Sequence, residues 1–188
     1  MCDKTAGRAR RRALGAALGA LLSYGCGLAP GPDGPPLRTV ARVDLDRYLG
    51  LWHEQAKIPN RFQDQCVRDT RAEYAALPDG RIRVLNSCVN AEGLREQAEG
   101  VARVTDPGTG AKLEVSFFSI LGWRPVWGDY WVIGLDPDYR WAVVGTPGRG
   151  YGWVLSRAPE LDPGEWAAVD ALLRERGYDP GLFEHDPG

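Results

Sequence analysis

The chain has 188 residues, enough for one domain with a sizeable core. Its formal net charge of -2 supplies no bulk field for nucleic acid or an acidic lipid surface. Two His (His53 and His185) and four Cys form no cluster at metal-ligand spacing, so zinc and haem lack sequence support and no cofactor is expected.

Residues 1–12 are basic, with Lys4, Arg8, Arg10, Arg11 and Arg12 against Asp3. Residues 13–22 are apolar but too short for a bilayer span, which takes roughly 20 residues. A basic run followed by a short apolar run has the layout of an export signal, expected here over residues 1–26. Residues 27–42 open with a Pro/Gly-rich run that builds neither helix nor ladder and reads as a tether. The folded part is expected from residue 43 to 188.

Asp44–Leu49 fits a short helical turn, with acidic residues at its start suiting the helix dipole. Gly50-Leu51-Trp52 then opens a strand. Period-two alternation puts Trp52, Glu54, Ala56 and Ile58 on one face, with His53, Gln55 and Lys57 on the other. Pro59-Asn60-Arg61-Phe62 is a loop signal. Cys66–Leu77 and Arg81–Val89 flank a Pro78-Asp79-Gly80 hairpin turn. Folding about that turn brings Cys66 and Cys88 near each other. In an exported chain this favours a disulfide, the alternative being two buried thiols.

Glu99–Val104 and Lys112–Phe117 alternate across a second turn, Asp106–Gly110. Residues 118–127 form an apolar loop containing Ile120, Leu121, Trp123, Val126 and Trp127. Such a loop gates a pocket, meets a membrane or partner, or folds back on its own domain. Asp129–Leu135, Arg140–Thr146 and Tyr151–Arg157 are three further strands. One long helix follows: Asp162 is its N-cap, Pro163 its first position, and Glu165 completes a capping box. Trp166, Val169, Leu172 and Leu173 recur at helical spacing, and Gly177 is the stop.

Eight strands joined by short hairpins and followed by one helix give an all-β chain. The expected fold is an eight-stranded antiparallel up-and-down β-barrel with the helix packed outside. Eight strands close around room for one small ligand. Parity assigns Glu54, Ala56, Ile58, Tyr74, Ile82, Val84, Ala102, Val115, Phe117, Trp131 and Trp153 to the interior as candidate ligand contacts, although one bulge would invert part of that set. The same residues would equally fill a core. Glu54, if inward, needs a hydrogen-bond partner such as Asn86 or a Tyr hydroxyl, or a ligand head group.

The arrangement resembles the lipocalin family at three separated places: Gly50-Leu51-Trp52, Asp138-Tyr139, and Arg157 at the end of the last barrel strand. It is closest to bacterial outer-membrane lipocalins and apolipoprotein D relatives, over Tyr48–Glu54, Leu113–Phe118 and Trp153–Pro159. The resemblance spans about residues 43–184. It implies that Arg157 packs across Trp52 as a cation over an indole, a structural role shared with Gly50, Asp138 and Tyr139. It also implies a small hydrophobic ligand, a fatty acid or lysophospholipid, and an outer-membrane lipid anchor facing the periplasm. Ser23-Tyr24-Gly25-Cys26 resembles a bacterial lipidation box, with Cys26 as the acylated residue; Ser23 and Tyr24 depart from the usual pattern. The Cys66–Cys88 pair is not general to the family.

Two other function classes are weighed. One is a protein-interaction module, with a homodimer possible, that docks through residues 118–127. The other is an isomerase-type enzyme with a free barrel Cys. Cys2 and Cys26 lie outside the barrel, and neither His sits in a nucleophile–base arrangement, so no catalytic residue is assigned.

Overall fold

The computed structural model describes residues 35–187. The expected export signal, Cys26 and the first part of the Pro/Gly-rich segment lie outside the described residues. Residues 35–42 run extended against the folded domain. Leu37 is buried, the Val40 N–H donates to the Val132 carbonyl at 3.0 Å, and Arg149 donates to the Pro35 carbonyl at 2.8 Å.

A four-residue helix, α1 (Leu45–Tyr48), is capped by Asp44, whose carboxylate accepts from the Arg47 N–H. Eight strands follow: β1 (Gly50–Lys57), β2 (Arg68–Ala76), β3 (Ile82–Val89), β4 (Arg95–Val104), β5 (Lys112–Ser116), β6 (Gly128–Leu135), β7 (Trp141–Gly145) and β8 (Gly152–Ser156). Each pairs antiparallel with the next, and β1 pairs with both β8 and β2. That double pairing closes the sheet into an eight-stranded up-and-down barrel without an open edge. A two-residue strand, β9 (Glu184–His185), adds to the far half of β1.

Helix α2 (Pro163–Glu175) begins as its sequence dictates. The Asp162 carboxylate accepts from the Glu165 N–H at 2.8 Å, and Glu165 returns the bond to the Asp162 N–H at 3.2 Å. It lies on the outer wall of the barrel. Val169 and Leu173 are buried there with Ala56, Ile133, Val143 and Val154. A separate core inside the barrel contains Trp52, Tyr74, Val84, Leu113, Val132, Val144 and Leu155. Strand β7 is buried along its whole length because it serves both cores.

Two bulges correct the inward-facing set. Along β1 the register passes from Glu54↔Leu155 to Ala56↔Val154, leaving Gln55 as an extra residue. Past it the parity inverts: Ala56 and Ile58 face the helix-side core, and Lys57 takes the parity of Glu54. Along β6 the register shifts between Val132 and Gly134. Trp131 and Ile133 belong to the outer core, while Tyr130, Val132 and Leu135 face the inner one. Trp131 is expected inside from strand parity, and the structure places it outside. Its wall is covered by α2, so both faces of β6 are hydrophobic and alternation alone gave no direction.

Candidate functional site

One end of the barrel is shut by the segment leading into β1. Gly50 has φ +93°, a left-handed conformation that suits glycine, and it turns the chain from α1 into the strand. Trp52, fully buried, donates its indole N–H to the Tyr48 carbonyl at 2.8 Å. The Arg157 guanidinium lies 3.8 Å from the Trp52 ring centre and donates to the carbonyls of Arg47, Tyr48, Leu49 and Leu51. Asp138-Tyr139 lies in the adjoining β6–β7 turn. The Tyr139 hydroxyl accepts from the Asp44 N–H at 2.8 Å, and Arg47 stacks on its ring. The carboxylate that organises this turn is Asp136, which accepts from the N–H groups of Asp138 and Arg140 and from the Arg140 side chain.

Above this floor the barrel encloses a cavity of about 1000 Å³. Its wall includes Tyr74, Ile82, Val84, Ala102, Val115 and Trp153, all expected there from parity, together with Glu54 and Phe117. Ala56, Ile58 and Trp131 are not part of it. The volume lies at the upper end of the roughly 300–1,000 Å³ typical of small-molecule sites. Phe62, Phe118, Val126 and Tyr151 stand at the open end, on the loops joining β1–β2, β5–β6 and β7–β8. The more polar lining residues Gln65, Arg71, Glu96 and Gln97 lie on that side of the barrel too.

Glu54 has partners, but not those expected. Its carboxylate accepts from Lys57 Nζ at 3.0 Å and Gln63 Nε2 at 2.9 Å. Burial pushes its pKa up, opposed by Lys57 and by the Gln63 hydrogen bond. Gln63 Oε1 in turn accepts from the Trp153 indole at 2.9 Å and from Asn60 at 3.1 Å. The network ties the β1–β2 loop to the wall, and the Cys66–Cys88 disulfide ties the end of that loop to β3. Asn86 Oδ1 and Thr70 Oγ1 are buried without a hydrogen-bond partner among the described residues.

Parity placed Tyr74 on the inner wall but gave no sign that it meets Tyr48 and Tyr130 there. The Tyr48 and Tyr74 hydroxyls each lie 2.9 Å from the Tyr130 hydroxyl, and all three residues line the cavity above Trp52. Burial raises all three pKa values, that of Tyr74 to about 12, so the cluster stays neutral at physiological pH. Tyr130 was findable in principle, since it shares the parity of Val132. Tyr48 lies before the first strand, where no alternation applies.

The loop between β5 and β6 forms a small hairpin of its own, with Ile120 and Trp123 bonded to each other. Ile120, Leu121, Trp123 and Val126 are exposed on it. It is fastened at its base by Arg124, which donates to the Ser116 carbonyl, and by Arg103, which stacks on Trp127.

A family model described as a lipocalin-like domain matches residues 43–187. Temperature-induced lipocalin-1 of Arabidopsis thaliana is 41% identical over 154 residues, covering 80% of this chain and 82% of that protein. The outer membrane lipoprotein Blc of Escherichia coli K12 is 37% identical over 169 residues, covering 89% and 91%. Apolipoprotein D of Rattus norvegicus is 33% identical over 153 residues, covering 77% and 76%. Among solved structures, insecticyanin of the tobacco hornworm Manduca sexta superposes with a TM-score of 0.67 at 25% identity, covering 85% of this chain and 88% of that one. The amine-binding protein of Rhodnius prolixus, solved with tryptamine, shares the fold with a TM-score of 0.57 at 20% identity, covering 79% and 83%.

Proposed function

This chain belongs to the lipocalin family, and from that premise we propose that its barrel binds and carries an amphiphile, a fatty acid or a lysophospholipid, at the bacterial cell envelope. The observation that carries the reading is the cavity of about 1000 Å³, walled mainly by apolar side chains, with Gln65, Arg71, Glu96 and Gln97 on its open side. An alkyl chain gains roughly 0.8 kcal/mol per methylene removed from water, and a head group left at the mouth keeps its hydration. The acylated terminus at Cys26, resembling a lipoprotein box, would hold the barrel at the outer membrane facing the periplasm. Bacterial relatives 35–37% identical that are named outer membrane lipoproteins favour that location. No catalytic step is proposed, and Cys66 and Cys88 are joined, so neither is a free thiol.

Titration with palmitate and with a lysophospholipid tests the binding reading, because Trp127 and Trp153 line the cavity and report occupancy by fluorescence. Saturable quenching at one-to-one stoichiometry is expected; no response to either lipid would refute it. Metabolic labelling with a fatty acid tests the anchor separately, with loss of label expected in Cys26→Ala.

The exposed apolar hairpin of residues 120–126 favours a second reading, docking of a second copy of the chain. It is checked by a concentration-dependent mass that Trp123→Ser abolishes.

A further inference from the structure

The three tyrosine hydroxyls above Trp52 carry three O–H protons but make only two hydrogen bonds, Tyr48 with Tyr130 and Tyr74 with Tyr130. Each hydroxyl donates once. Whichever way the two bonds run, one donor is left over. It belongs to Tyr48, Tyr74 or Tyr130 according to the direction chosen, and no described residue accepts it. The cluster lies on the cavity wall, so the spare proton is available to whatever fills the cavity.

The surroundings select the kind of acceptor. The Glu54 carboxylate is close enough to Tyr74 to oppose a second negative charge there. The positive charge of Arg157 acts the other way on Tyr48 and Tyr74, but its Nη groups lie across Trp52 and are held by four backbone carbonyls. A carboxylate taken to this depth would lose its water and gain one neutral O–H, with the opposed charges of Glu54 and Arg157 offsetting each other. A neutral oxygen (a hydroxyl, a ketone or an ester carbonyl) would complete the hydrogen bonding at little electrostatic cost.

We propose that the tyrosine cluster is a subsite for a neutral hydrogen-bond acceptor at the buried end of the ligand, so that the cavity favours amphiphiles oxygenated at the end remote from the head group. This rests on the reading of the cavity as an amphiphile site and narrows its ligand class. A bare alkyl end placed against the cluster leaves the spare donor unpaired, whereas an oxygenated end does not.

The test compares palmitic acid with ω-hydroxypalmitic acid on the wild-type chain and on the triple variant Tyr48→Phe, Tyr74→Phe, Tyr130→Phe. The rings remain, so the packing remains; only the hydroxyls go. On the wild type the ω-hydroxy acid is expected to bind at least as tightly as palmitic acid. On the triple variant it should bind about tenfold more weakly than palmitic acid, because its hydroxyl is then buried without a partner. The same ratio of the two affinities on both proteins would overturn the subsite and leave the cavity reading intact. Failure of both acids to bind the wild type would overturn the cavity reading and the subsite with it. Should the triple variant not fold, the wild-type pair decides alone: equal or tighter binding of the ω-hydroxy acid supports the subsite, and binding about tenfold weaker refutes it.

Discussion

Arg157 and Trp52 close the barrel floor together. The guanidinium lies 3.8 Å from the indole centre, and its N–H groups fasten four carbonyls of the segment 47–51. One residue at the end of β8 thus holds α1, the turn at Gly50 and the start of β1. Arg157→Ala should cost about 2–3 kcal/mol in urea denaturation, from the lost cation–π contact and charge-assisted hydrogen bonds. Arg157→Lys should recover only a minor part, since an ammonium cannot reach carbonyls on several sides from one planar group. Full recovery by Lys would show that charge alone matters.

The Cys66–Cys88 bond joins residues 22 apart in sequence, with Cα atoms 5.5 Å apart. Replacing both with Ser should lower stability by about 3 kcal/mol on loop-closure grounds. The loss should appear equally on adding reductant to the wild type. Proteolysis of the reduced form should begin within residues 58–67, which the disulfide and Gln63 hold to the barrel.

Glu54 gives a pH signature. Its folded pKa is raised, first by burial, so its contribution to stability is fully present below the ordinary carboxyl value of 4.5 and is lost as pH rises through the folded value. Glu54→Gln removes this group from the balance. The stability of the variant relative to the wild type should therefore improve between acid and neutral pH, as read by denaturation at both. A constant difference would mean that Lys57 and Gln63 fully offset the burial.

Much of this was legible in the sequence because side-chain period and turn chemistry spell it out. Pro78-Asp79-Gly80 and the flanking alternation placed the β2–β3 hairpin, and the Asp162, Pro163 and Glu165 pattern placed the start of α2. What alternation could not resolve was direction where both faces are apolar. Helix α2 covers the outside of β1, β6 and β7, so Ala56 and Trp131 looked as suited to the interior as Val84. A bulge leaves no reliable mark in a single sequence, and Gln55 and Ile133 each invert the parity after them. Glu54 was recognised as needing a partner. Its partners are Lys57, brought round by that same bulge, and Gln63, from a loop whose fold no pattern encoded.

The two faces of the sheet yield a paired prediction for binding. Ala98 lines the cavity, so Ala98→Trp should narrow it and weaken palmitate binding at least about tenfold with the fold retained. Trp131 lies outside, beneath Lys112 and beside the helix-side core, so Trp131→Phe should leave palmitate affinity unchanged. Fluorescence titration reads both.

Gly145 lies where the Tyr178 hydroxyl comes closest to the barrel and takes part in holding the tail. That hydroxyl accepts from the Thr146 N–H at 3.0 Å and donates to the Tyr151 carbonyl, and a Cβ at Gly145 would collide with it. Gly145→Ala should cost about 1–3 kcal/mol by displacing Tyr178, measurable as a fall in Tm. Gly148→Ala, in open space three residues on, should be near neutral.

The most direct test of the lipid-carrying barrel is native mass spectrometry of the chain purified from the cell envelope, followed by organic extraction of whatever travels with it. The expected result is a one-to-one adduct whose extracted mass fits a fatty acid or lysophospholipid, and which is lost from Ala98→Trp. A protein that emerges empty and stays empty after incubation with both lipid classes would contradict it.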